Sequence, residues 1–246
     1  MGILLELAFL FFIGSVLGWG LEVLFRRFLS RANPERKWIN PGFCTGPYLP
    51  LYGVGLCLLY LIASLENWNL IKNPQVNKLA LFLAMAVCMT VIEYIAGLIA
   101  LKVGKVRLWD YSREWGNIQG TICPKFSLAW AALGALYYFL VHPHILDALH
   151  WLAQNLAFSF VIGFFFGVFS LDVAHSVQLV AKLKRFAEEN DVVIRYEALK
   201  AHIRSHYEAT AQKYRFFRPF HTERPLAEHL KELRGTFEQR RRKRKN

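Results

Sequence analysis

Apolar residues in this chain gather in long runs and do not recur at the period of a half-buried helix or strand. Gly2–Phe25, Pro47–Leu65, Leu79–Leu101, Pro124–Val141 and Leu152–Leu171 are almost continuously hydrophobic. Each holds about 18 to 24 residues, and about 20 helical residues cross a hydrocarbon layer of roughly 30 Å. Lipid offers no partner to a backbone N–H or C=O, so a crossing segment satisfies these groups within itself, as a helix. The pattern predicts an all-α polytopic membrane protein with transmembrane helices at about 2–25, 47–65, 79–101, 124–141 and 152–171. The first run reads as a retained helix and not a signal peptide. Its basic flank, Arg26 and Arg27, follows the apolar run, and no A-x-A-like cleavage site closes it.

Charge then orients the helices. The 246 residues are 54% hydrophobic yet carry a formal net charge of +12. Residues 26–46 hold five Lys and Arg, 102–125 hold five, 66–78 hold two and 142–151 hold none. The stretch from Ala181 onward holds eighteen, against nine acids. Positive charge collects on the cytoplasmic side, so the N-terminus faces out, with both long loops and the tail in the cytoplasm. A transmembrane domain, 1–180, is thus followed by a basic cytoplasmic tail, 181–246, that reads as helical apart from "FFRPFHTERP" at 216–225. The terminal "RRRKRK" suits the anionic head groups of membrane lipids. Nucleic acid would accept the same charge, but no base-reading motif accompanies it, and none is expected as a partner.

Two loop-to-helix stretches resemble each other. "NPGFCTGPYLPLYG" (40–53) and "NIQGTICPKFSLAW" (117–130) both place a Pro seven residues after an Asn: Asn40 to Pro47, and Asn117 to Pro124. A proline suits the first position of a helix, where its missing N–H is not needed. Each stretch follows a helix bearing an acid, Glu22 or Glu93, which suggests a parallel two-helix repeat about an axis along the membrane normal. The alternative is coincidence among common helix-start residues. "IGSVLGWGLE" and "IGFFFGVFSLD" share small-xxx-small spacing, Gly14 with Gly18 and Gly163 with Gly167. Both helices are expected to pack inside the bundle.

Ionisable residues in membrane helices mark candidate sites, because a carboxylate in lipid needs protein, water or a partner. Glu93 lies eight residues before the end of its run, roughly 12 Å in at helical rise, and has no cation near it in sequence. Glu22 can pair with Arg26 at i+4. Asp172 shares a helix face with His175 and can serve as an interfacial cap or ion pair. Asn40 and Asn117 mark the repeated loops. The second loop, "RLWDYSREWGNIQG", adds Trp109, Asp110 and Tyr111. These aromatics fit either an interfacial belt or a loop folded back to line a cavity. Cys123 and Cys44 lie in or beside the loops, and no CxxC or His/Cys cluster at zinc spacing occurs, so neither metal nor cofactor is expected.

The blocks "FFIGSVLGWGLEVLF", "NPGFCTGPYLPLYGVG", "IEYIAGLIALK…LWDYS" and "NIQGTICPKFSLAW" resemble, in order, the signature blocks of the ABC-transporter type IV family of bacterial integral membrane proteins. The resemblance covers about residues 6–135. By position it includes Gly14, Gly18, Glu22, Asn40, Gly42, Gly46, Pro47, Pro50, Gly53, Glu93, Trp109, Asp110, Tyr111, Asn117, Gly120 and Cys123. It implies a bacterial inner-membrane protein and a permease-like transport component for a small solute or lipid head group. No G-x4-G-K-[ST] is present, so an ATP-driven transporter would need a separate ATPase subunit. HExxH and GxSxG are absent too, which makes an enzyme the less favoured reading. A membrane enzyme acting on a lipid-linked substrate, or a scaffold or regulator working through its tail, are the alternatives. Oligomeric state is open, a homo-oligomer included.

A reporter fused after Lys182 tests the orientation. A fluorescent protein there is expected to be bright and alkaline phosphatase inactive; the reverse outcome inverts the topology.

Overall fold

The computed structural model describes residues 2–30, 33–68, 71–205, 226, 228–232, 234 and 235. The interruption expected at 216–225 and the terminal "RRRKRK" lie outside the described residues. Five helical rods are long and apolar enough to cross a membrane. The first is α1, Ile3–Phe28. The second is α2, Pro50–Ser64, prolonged by a tight turn at Leu65–Trp68. The third is α3, Pro74–Leu98, which widens into a π turn at Ile99–Val103. The fourth joins α4, Pro124–Leu136, to α5, His142–Gln154, through a π turn at Tyr137–Val141. The fifth is α6, Ser159–Glu189, entered through a turn at Leu156–Phe158.

Several boundaries differ from those predicted, each for a local reason. The second helix starts at Pro50 and not at Pro47, because Leu49, in front of a proline, stays extended at φ −121° and ψ 105°. The Leu49 N–H goes instead to the Ser15 carbonyl on α1, 2.9 Å away. The third begins earlier, at Pro74, since Asn73 caps it by accepting from the N–H groups of Gln75 and Val76. Residues 142–151, expected as an outward connection, are helical. Pro143 removes one bond of the helical ladder, and the π turn before it absorbs the irregularity. The apolar run 152–171 is divided between two helices. Leu152, fully buried, lies in the last turn of α5, and the chain turns at Asn155 before α6 begins. α6 then continues without a break across residue 180, so one helix joins the membrane bundle to the basic tail.

Small residues set the tightest contact. A Cβ on Gly53 of α2 would stand 2.7 Å from the Phe11 carbonyl and 2.2 Å from the Ser15 hydroxyl of α1. On Gly18 it would meet the Tyr52 ring at 2.2 Å, and on Gly14 the Tyr52 carbonyl at 3.0 Å. These glycines bring the α1 and α2 backbones together. Gly163 and Gly167 do not match the expectation of packing inside the bundle: nothing stands within 4 Å of either. α6 instead meets α1 through its aromatic face, with Phe165 against Phe12 at 4.7 Å and Phe169 against Phe11 at 5.4 Å. The main core gathers Leu10, Leu59, Met85, Trp130 and Leu152 from all four of the first rods. Leu4, Val87, Leu128, Phe160 and Leu171 face outward, as helices solvated by lipid require.

A second, smaller core forms at the end of the bundle that carries the two long loops. There β1, Val106–Arg107, pairs in parallel with β2, Ile194–Arg195. α7, Tyr196–Ser205, follows directly. Val106, Leu183, Ala187, Ile194, Leu199 and Ile203 are buried together with Leu230. The start of the tail is therefore folded onto the second loop.

Gly53→Ala should destabilise the protein by about 1–3 kcal/mol, the usual cost of overpacking against atoms that cannot yield. Gly163→Ala, with open space around it, should be neutral. Thermal unfolding in detergent compares the two.

Candidate functional site

Two of the three acids expected in the membrane helices, Glu22 and Glu93, sit near one another among aromatic side chains. Glu22 of α1 receives the Arg26 guanidinium, Nε to Oε1 at 2.9 Å, the i+4 pair that the sequence allows. Its other oxygen accepts from the Tyr52 hydroxyl of α2 at 3.1 Å. Tyr52 packs against Trp130 of α4, with ring centroids 5.0 Å apart. Glu93 of α3 lies beyond, 3% exposed. Its Oε1 accepts from the Tyr111 hydroxyl at 3.1 Å. Oε2 has no partner in hydrogen-bond geometry, although the Trp130 indole stands close enough to act on the carboxylate. Among the described residues no Lys, Arg or His pairs with Glu93.

Tyr111 reaches Glu93 because the second loop folds back on the helices. Its ring stacks on Phe126 of α4, 4.4 Å away and tilted by 13°. Trp109 anchors the same loop by donating to the Thr121 carbonyl at 2.7 Å. The second loop thus lies against α3 and α4. Asp110 and Asn117 hold the loop in shape and stand apart from Glu93. Asp110 pairs with Arg107 at 3.0 Å and with Arg195 at 3.3 Å. Burial opposes its charge, but hydrogen bonds from Ser112 and the two arginines outweigh this and keep its carboxyl below the usual range. Asn117 donates to the Glu114 carbonyl and accepts from the N–H of Gly120, whose φ of +68° a side chain would strain. Cys123 is buried just ahead of α4.

The first loop is held differently. Asn40, 3% exposed, accepts from the Trp19 indole at 2.7 Å and donates to the Thr45 carbonyl at 2.8 Å. Asp172 of α6 accepts from the backbone N–H of Thr45 and Gly46 and from the hydroxyls of Thr45, Tyr48 and Ser176. A carboxylate with that many donors serves as a cap for the loop. His175, expected on its face, is exposed and makes no part of this set. Cys44 is buried beside it; burial, then the Asp172 charge, push its thiol up to about 12.

Three tail residues, Tyr196, Glu197 and Lys200, complete this end, and the sequence reading missed them. Arg26 bridges Glu22 to Glu197 of α7, the second contact at 3.0 Å. Glu197 also pairs with Lys200 at 3.3 Å. Lys200, buried, donates to the carbonyls of Gly42 at 2.8 Å and Asn40 at 3.2 Å. The Tyr196 hydroxyl donates to the Phe43 carbonyl at 3.1 Å. A chain of charges thus runs from Glu22 through Arg26, Glu197 and Lys200 to the first loop. No local signal marks Glu197 and Lys200 among the many charges of the tail. Tyr52 and Trp130 were the more legible omissions, being polar-tipped aromatics just inside the returning helices.

The family described as "Putative ABC-transporter type IV" matches residues 9–177, and the chain belongs to it. Comparison with curated proteins and with solved structures returns no match.

Burial alone would raise the Glu197 carboxyl, but Arg26 and then Lys200 outweigh it and hold it below the usual range. A carboxyl depressed in the folded state stabilises fully above its unfolded value of about 4.3. That contribution drains away as pH falls through the depressed value. Wild type should therefore lose thermal stability below about pH 4 more steeply than Glu197→Gln, which should begin lower at neutral pH. Parallel pH profiles of the two would show the clasp absent.

Proposed function

We propose that this multi-pass member of the family is a permease-like transport component for a small cationic or polar solute, or a lipid head group. Its polar centre is the pair Glu22 and Glu93, with Tyr52, Tyr111 and Trp130 around them. The observation that carries the reading is Glu93. A carboxylate among membrane helices costs several kcal/mol unless it has a partner, and this one has a single hydrogen bond and no cation among the described residues. Such a group either holds a proton or awaits a cationic or hydrogen-bonding ligand. Glu22, by contrast, is already neutralised by Arg26.

Asn40, Asp110 and Asn117 act in this reading by shaping the loops at the mouth of the site. Trp109 and Cys123 support the second loop, and Asp172 the first. The two halves also share features that favour a repeat. In each, an aromatic of the returning helix addresses the acid of the preceding one, Tyr52 toward Glu22 and Trp130 toward Glu93. In each loop a glycine with positive φ, Gly42 or Gly120, follows the asparagine. The positive charge of the loop end supports a cytoplasmic position for it beneath a bacterial inner membrane, with the N-terminus outside. There it is open to a separate ATPase subunit, which the family's transporter character suits and the missing P-loop requires for ATP-driven transport. The tail's terminal basic run remains suited to anionic head groups.

Glu93→Gln preserves shape and removes the charge; it should abolish transport while leaving the melting temperature within a few degrees of wild type. Uptake into vesicles, screened with solutes that accumulate or disappear in a deletion strain, provides the measurement. A fully active Glu93→Leu protein would overturn the role, since a structural acid is often replaceable by an apolar residue.

A further inference from the structure

Outside the membrane helices, three ligand-type side chains from separate parts of the tail converge. His202 lies on α7, and His229 and Glu232 lie three residues apart in the helical segment near Leu230. That i, i+3 spacing puts both on one helix face. One ligand atom from each lies within 4.8 Å of the others. The His202 Nε2 and Glu232 Oε2 atoms are 3.4 Å apart. The two imidazoles meet edge to face, centroids 5.7 Å apart and planes at 81°. His229 is only 2% exposed, while the Glu232 side chain is 45% exposed.

We propose that His202, His229 and Glu232 form a binding site for a divalent transition metal, with Zn2+ the best fit. Two neutral imidazoles and one carboxylate are a donor set that Zn2+ accepts at about 2.0–2.2 Å, with a fourth position left for water. Ligand atoms around a tetrahedral ion at those lengths lie about 3.3 Å apart. The His202–Glu232 separation already meets this. Calcium and magnesium prefer oxygen ligands and fit the site poorly. The site stands on its own and does not depend on the transport reading.

Its place in the fold gives it a structural consequence. Ile203, next to His202, and Leu230, next to His229, belong to the same small core. The ion would bolt the segment around Leu230 to α7, and α7 is the helix whose Lys200 and Tyr196 hold the first loop. Metal occupancy would therefore stabilise the tail against the loop end of the bundle. Sequence spacing hides the site because His202 and His229 lie 26 intervening residues apart, far from the short separations typical of zinc motifs.

The test uses the full chain purified in detergent without a polyhistidine tag and stripped with a chelator. Titration with Co2+ should give one equivalent with the intense visible bands of a four-coordinate site, displaced by Zn2+. His202→Ala combined with His229→Ala should weaken binding by about 100-fold or more, since losing even an outer-sphere contact costs 10–100-fold. Glu232→Gln, exposed enough to leave the fold intact, should weaken it by about 10-fold. His175→Ala, at an exposed position of α6, should change nothing. Equal affinity in wild type and the double variant, or only the faint spectrum of six-coordinate Co2+, would overturn the proposal.

Discussion

The close approach of α1 and α2 is the contact from which the rest of the arrangement follows. Three glycines remove the Cβ atoms that would hold the backbones apart, with Gly53 set directly against the Phe11 carbonyl. In lipid there is no hydrophobic drive between helices, so backbone proximity and packing supply the attraction. The consequences are specific. Tyr52 comes within reach of Glu22, Leu49 donates to Ser15, and Trp19 can close on Asn40. The start of α2 and the shape of the first loop are fixed by the same contact.

Charge is handled in two ways at two depths. At the loop end, Glu22, Arg26, Glu197 and Lys200 form an alternating chain whose last member satisfies backbone carbonyls of the first loop. Such a chain rewards the tail for folding back, since each removed member leaves a desolvated partner behind. Deeper in the bundle, Glu93 is given a hydroxyl and an indole but, among the described residues, no cation. The contrast separates an acid paired with a guanidinium from one held by a single hydrogen bond.

The second loop shows how a short irregular segment is made to serve the helices. Trp109, Asp110 and Asn117 each fix a piece of its backbone, by an indole bond, an arginine pair and a turn. Tyr111 is then delivered to Glu93 from the loop that joins α3 to α4. The first loop reaches an analogous end by other means, through Asp172 of α6 and Lys200 of α7.

What the sequence determined by itself was the number and character of the spans, the family, and the pairing of Glu22 with Arg26. These depend on local composition: an apolar run long enough to cross lipid is a helix whatever its neighbours do, and i+4 partners meet on any helix. Glu93 was also legible, because a lone acid in an apolar run is anomalous without reference to the fold. Only the tertiary structure decided where runs break, as at Asn155, where the chain turns between α5 and α6 inside a stretch that reads as one span. It alone turned Gly163 and Gly167 outward while packing Gly14 and Gly18, although the spacing is the same. It alone brought Tyr111 to Glu93, Lys200 to Asn40 and His202 to His229. Those contacts join residues from 18 to 160 positions apart, and pairing at such range is set by how helices pack, which no local pattern encodes.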